Sequence, residues 1–142
     1  MYFEEVSEGQ ELPPLERTIT LTGMVMYAGA TWDFHRYHYD DAFARGSGFQ
    51  APFVDGQMIG ALMAKQLMDW GGPNAFLRRL SYRLRAVVYP GDRLISRGRV
   101  AEKYVEAGRA LAICVLDAWK GDGTLVSKAS ATIELPTRAI QA

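Results

Sequence analysis

Asp33 and His38 stand five residues apart in the run Thr31 to Asp41, TWDFHRYHYDD, with His35 and Asp40 beside them. A carboxylate and an imidazole on one short loop can share a water, because the acid orients the ring and the ring exchanges a proton near neutral pH. No other stretch of the chain crowds acid, imidazole and aromatic side chains together in this way. Taken singly, Asp33 reads as a turn-forming residue and His38 as a satisfied loop histidine. Taken together they predict a proton-transfer pair. A second chemistry open to the same loop is a metal site, with Asp33, His35, His38 and Asp40 as a two-His, carboxylate set for iron or zinc. Two histidines three residues apart on a loop are a weak signal for it, so the expectation is no metal and no cofactor.

The elements around the loop must hold it in place. Upstream, ERTITL over 16–21 reads as a strand and LTGMVMYAGAT as a short helix, with Thr22 as its cap and Val25, Met26 and Ala28 to Ala30 on its buried side. Downstream, Asp40 and Asp41 open a short helical turn closed by Gly46, and GSGFQAPFVDG leads into the main helix. That helix runs from Gly56 to about Trp70. Its polar positions Gln57, Lys65 and Asp69 share one narrow stripe with Ala61, and the rest is apolar or small, so it should be buried almost all round. Gly60, Ala61 and Ala64 offer room for another backbone. Gly71, Gly72 and Pro73 end the helix, and the pattern then changes to period two. Leu80, Tyr82, Leu84 and Ala86 share one face against Arg79, Ser81, Arg83 and Arg85. Pro90-Gly91-Asp92 and Gly121-Asp122-Gly123 are turns between later strands. The strand over 108–119 is apolar on both faces and is expected at the centre of the sheet. A curved antiparallel sheet wrapped around one long helix is an α+β architecture.

The chain has 142 residues, enough for one domain with a substantial core. Sixteen basic and sixteen acidic side chains cancel, which speaks against a nucleic-acid partner. Cys114, the single cysteine, lies in the apolar run LAICVL and reads as a buried hydrophobe of a reducing compartment. No apolar stretch is long enough to span a bilayer. A cytoplasmic chain with no membrane partner is expected.

These residues resemble the MaoC-like (R)-specific enoyl-CoA hydratase family of the hot-dog fold. The family's D-F-N-P-x-H segment is matched by Asp33-Phe34-His35-Arg36-Tyr37-His38, and its F-x-x-P-[IV]-x-H-G segment by Phe49 to Gly56. Its V-x-P-G-D turn is matched by Val88 to Asp92, and the opening VSEGQEL is also similar. His35 and Arg36 stand where the family has Asn-Pro, and Asp55 where it has the His of the His-Gly pair. The small subunits of actinobacterial heteromeric hydratases for steroid or other bulky enoyl-CoAs are similar in their acid-to-His spacing, in lacking the His-Gly pair and in a D-W-x-G-P segment like Asp69-Trp70-Gly71-Gly72-Pro73. The resemblance implies a single hot-dog domain over 1–142 and hydration of a trans-2-enoyl thioester, carried by coenzyme A or acyl carrier protein, to the (R)-3-hydroxyacyl thioester. It assigns catalysis to Asp33 and His38, the thioester oxygen to the Gly56 N–H, and supporting places to His35 and Asp55. Asp55 is awkward there, since a second anion opposes the developing enolate unless it points away. The implied partners are the acyl thioester and either a second copy or a second hot-dog subunit. Arg83, Arg85, Arg97 and Arg99 are read as solvated, with coenzyme A phosphates as a remote alternative. The competing readings on this fold are a thioesterase, for which the central helix offers only Gln57, Lys65, Gln66 and Asp69, and a non-catalytic subunit, which would be free to lose the acid–His pair.

Overall fold

Helix α3 (Gly56–Gly71) organises the molecule, and the computed structural model describes residues 1–138 around it. Gln57, Ala61, Lys65 and Asp69 form its exposed stripe, while Met58, Ile59, Met63, Leu67 and Trp70 are buried. Five antiparallel strands wrap it: β1 (Glu11–Thr18), β2 (Phe76–Leu84), β3 (Arg93–Glu106), β4 (Arg109–Lys120) and β5 (Leu125–Glu134), in the order β1-β3-β4-β5-β2. Both edge strands, β1 and β2, touch α3, so the sheet curls around the helix and buries it. This is the α+β hot-dog arrangement expected from the sequence. Strand β4 lies at the centre, as its apolar character on both faces requires. Leu94, Val100, Leu116, Val126 and Ile133 face the helix and complete the core. Cys114 is buried in β4, and burial pushes its thiol up to about 12, which leaves it an inert hydrophobe.

One polar side chain enters this core with every partner supplied. The Gln66 amide donates to the carbonyls of Pro13 (2.9 Å) and Ser96 (3.2 Å), and its oxygen accepts from the Ser96 hydroxyl (2.6 Å). These bonds tie α3 to β1 and β3 at no net cost of unpaired polarity. Glycine at 60 is required by a close approach, since a Cβ there would lie 2.5 Å from the Tyr82 ring. The neighbour is thus a side chain of β2, not the second backbone expected at Gly60.

Two helices precede α3: α1 (Leu21–Thr31) and α2 (Asp41–Gly46). Three local expectations are corrected. Strand β1 begins at Glu11, upstream of the predicted segment, because Pro13 and Pro14 are accommodated at a register shift on an edge strand where no ladder donor is needed. The cap of α1 is Thr20, whose hydroxyl oxygen accepts from the Gly23 N–H at 3.0 Å; Thr22 lies inside the helix. The buried side of α1 is Met24 and Ala28, while Val25, Met26, Gly29 and Ala30 are exposed. Beyond α2 the left-handed glycine is Gly48 (φ 90°), two residues after Gly46. Arg83, Arg85, Arg97 and Arg99 are all exposed. No helix among the described residues is long and apolar enough to cross a membrane.

Candidate active site

The end of α1 delivers Asp33. Trp32 takes a left-handed conformation (φ 61°, ψ 23°), and its N–H and that of Asp33 both donate to the Ala28 carbonyl. This closes the helix and turns the chain sharply. One Asp33 oxygen then accepts from the His35 N–H at 3.2 Å. His35 begins the 3-10 turn Arg36–His38, its Nδ1 accepting from the Tyr37 N–H at 3.4 Å and its ring stacking on Tyr37 at 4.6 Å. Behind the turn, Tyr37, Phe43, Phe49 and Phe53 pack ring against ring and fix the loop. Asp40 is occupied elsewhere. It caps α2 by accepting from the Phe43 N–H (3.0 Å) and pairs with Arg36 (2.7 Å), which together hold its carboxyl below the usual range.

His38 lies 2.8 Å through Nδ1 from the Phe53 carbonyl. A carbonyl only accepts, so Nδ1 carries the hydrogen and Nε2 of the neutral ring is left with its lone pair available. Atoms of Asp33, His38 and Asp55 all come within 4.8 Å of one another. The tertiary structure therefore brings Asp33 and His38 together and adds Asp55, while His35 and Asp40 stand outside the cluster. The predicted alternative metal set of Asp33, His35, His38 and Asp40 is not assembled. A carboxylate–imidazole–carboxylate set of Asp33, His38 and Asp55 is, and by donor type it is able to hold a hard or borderline cation.

Asp55 does not point away. Its Oδ1 accepts from the Gln57 N–H at 2.8 Å and caps α3, while Oδ2 is buried without a hydrogen-bond partner. Met24, Tyr27, Ala28 and Met58 close the crevice around the three groups, leaving no water-sized void in this conformation. Gly56 lies next along the chain but lines a different depression, with Phe53, Leu84 and Val88. Its N–H belongs to the first turn of α3, where backbone donors have no intrahelical acceptor and the helix dipole is positive. A Cβ here would meet the tip of the half-exposed Leu84 side chain, which has to swing aside for any residue larger than glycine. Tyr27 is the residue that sequence reasoning missed. Its phenol is held protonated by burial first, then by the charges of Asp55 and Asp33. It reaches the crevice from the same side of α1 as Met24 and Ala28.

The fold and this crevice define a class of protein. Residues 4–111 match the family described as MaoC like domain, and the chain belongs to that family. It is 31% identical over 130 residues to the 3-oxo-4,17-pregnadiene-20-carboxyl-CoA hydratase beta subunit of Mycobacterium tuberculosis, covering 92% of this chain and 95% of that one. It is 27% identical over 145 residues to the (R)-specific enoyl-CoA hydratase of Rhodospirillum rubrum, covering 96% and 93%. Among solved structures, a chain of the ChsH1–ChsH2 complex from Mycobacterium tuberculosis superposes with a TM-score of 0.81 at 26% identity, covering 91% of this chain and 98% of that one. Both named relatives are hydratases, hence hydro-lyases, and the chain is an enzyme of the hydratase/dehydratase type.

Proposed function

We propose that this chain catalyses the reversible addition of water to a trans-2-enoyl thioester, giving the (R)-3-hydroxyacyl thioester. The observation that carries the reading is the orientation of His38. Its Nδ1–H is committed to the Phe53 carbonyl, and its free Nε2 belongs to a ring clustered with the Asp33 carboxylate. In the hydration direction His38 Nε2 takes a proton from a water as the oxygen adds to the β-carbon. Asp33 holds that water and passes to the α-carbon the proton that His38 took, so that both groups end the step as they began it. Positioned proton transfer of this kind contributes about 10²–10⁴ in rate. The thioester oxygen gathers negative charge and lies against the Gly56 N–H, a donor whose loss costs on the order of 10²–10³ in turnover. Asp55 and Gly56 are adjacent, one lining the crevice and the other the depression, so a thioester at Gly56 presents its α- and β-carbons to Asp33 and His38. Tyr27 or Met58 must shift to admit the reacting water.

A second reading, that the chain works as one subunit of a heteromer, is favoured by its identity to a protein named as a beta subunit and its likeness to a chain from a complex. The carrier, coenzyme A or acyl carrier protein, and cytoplasmic residence belong to the same proposal. The test follows enoyl-thioester ultraviolet absorbance with short, long and steroid-like trans-2-enoyl-CoAs. Absorbance should fall with the parent, and with neither Asp33→Asn nor His38→Ala. Retained activity in either variant removes that residue from the mechanism, and activity that vanishes with a chelator transfers the cluster to a metal. Activity appearing only with a co-purifying hot-dog chain selects the heteromer.

A further inference from the structure

We propose that Asp33, His38 and Asp55 form a binding site for a divalent transition-metal ion of the zinc type, and that zinc seated there switches hydration off. The site stands by itself; its effect on hydration rests on the hydratase reading above. Each of the three side chains is tied to backbone through one atom and keeps another free. His38 donates through Nδ1–H to the Phe53 carbonyl at 2.8 Å, Asp55 Oδ1 accepts from the Gln57 N–H at 2.8 Å, and Asp33 Oδ1 accepts from the His35 N–H at 3.2 Å. Left over are the His38 Nε2 lone pair, the second Asp33 oxygen and Asp55 Oδ2, which is buried without a hydrogen-bond partner. Metal-binding imidazoles and carboxylates are oriented in this way, by hydrogen bonds to the atom that does not ligate. One ligand atom from each residue lies within 4.8 Å of the others, and no other such trio is assembled among the described residues.

The charge balance of the crevice calls for a cation. Its lining holds two carboxylates, and the rest is Met24, Tyr27, Ala28, His38 and Met58, with no lysine or arginine. Two anions against one neutral ring and apolar walls leave negative charge uncompensated, and a dication supplies the missing partner. The donor set selects the ion. Two carboxylate oxygens and an imidazole nitrogen suit zinc, cobalt or manganese. Calcium and magnesium need about six to eight oxygen or water ligands, which a crevice without a water-sized void does not supply. Zinc bonds of about 2.1 Å hold ligand atoms no more than about 4.2 Å apart, so the trio closes by about 0.6 Å or less on binding. Zinc on Nε2 occupies the lone pair with which His38 accepts a proton from the reacting water. Zinc on Asp33 removes the oxygen that holds that water.

Metal-stripped protein is titrated with zinc chloride by calorimetry, and with cobalt(II), whose visible absorption reports coordination by the protein. The expected result is one ion per chain, bound more tightly in the order manganese, cobalt, zinc, with no heat from magnesium or calcium. Asp55→Asn, which keeps the cap of α3, and His38→Ala each weaken zinc binding by about 100-fold or more. His35→Ala, outside the cluster, leaves it unchanged. Hydration of crotonyl-CoA by the parent falls toward zero as zinc fills the site and returns when a chelator removes it. Absence of zinc binding overturns the proposal, and so does zinc held equally well by parent and Asp55→Asn, which would place the ion on surface carboxylates. Hydration that is indifferent to saturating zinc, or that needs it, overturns the switch. If metal-stripped and zinc-loaded protein alike hydrate no enoyl thioester, the hydratase reading fails, and zinc binding that responds to Asp55→Asn still upholds the site.

Discussion

Asp55 carries two duties on one carboxylate, and substitution separates them. Asp55→Ala removes the cap of α3 and should cost about 1 kcal/mol, whereas Asp55→Asn keeps an oxygen for the Gln57 N–H and should lose only a few tenths. Urea denaturation of the two variants reads the difference. Any change in hydration that Asp55→Asn shows at near-parent stability then reports the charge beside Asp33 and His38 alone. Cys114 makes a sharper claim. With its thiol buried in β4 and pushed up to about 12, iodoacetamide should leave it unmodified in the native protein and alkylate it after denaturation.

Helices α1 and α3 respond in opposite ways to the same change. Gly29 lies within α1 with open space where its Cβ would go, so Gly29→Ala should stabilise by about 0.5–1 kcal/mol. Gly60→Ala drives a methyl into the Tyr82 ring and should destabilise by about 1–3 kcal/mol. Thermal melts of the pair test both. Helix α3 was readable from the chain because the stripe of Gln57, Ala61, Lys65 and Asp69 has one period and one meaning. Strand β4 was readable because a strand apolar on both faces has to lie between two others. The start of strand β1 was missed because its Pro13-Pro14 contradicts local strand propensity, and only its place at a sheet edge removes the conflict. The cap of α1 went to the wrong threonine because Thr20 and Thr22 are equally good acceptors, and Tyr27 was lost because the side of α1 that packs on the core is chosen by tertiary contacts. Asp33, His38, Gly56 and Asp55 could be named by spacing and resemblance. That Asp55 faces inward, and that Gly56 opens on a separate depression, depends on the first turn of α3 and is invisible in one dimension.

At the scale of the whole molecule, acid should loosen the periphery before the core. Glu5 is held low first by the Tyr2 N–H and then by Arg138, Asp40 by the Phe43 N–H and then by Arg36, and Asp122 by the Thr124 N–H. Each binds its proton more weakly folded than unfolded. Their contribution is therefore present above unfolded values of 4.5 for Glu5 and 3.8 for the two aspartates, and is lost as pH falls through the lowered ones. Tyr27 has the opposite sign: its raised value makes its contribution complete below 10.0 and lost as the pH climbs beyond it. Amide protection factors, corrected for the intrinsic pH dependence of exchange, should fall first between pH 5 and 3 at the amino-terminal turn, the start of α2 and the β4–β5 hairpin, about where these carboxyls protonate. The left-handed residue that closes α1 gives the molecule something further. Trp32 is 83% exposed and adjoins Asp33, whereas Trp70 is 8% exposed. Its indole is consequently open to iodide or acrylamide, and with Trp119 half-buried the most quenchable of the three tryptophans is the one next to Asp33. A thioester or a partner subunit arriving there shields it, so occupancy can be followed optically, without label and without turnover.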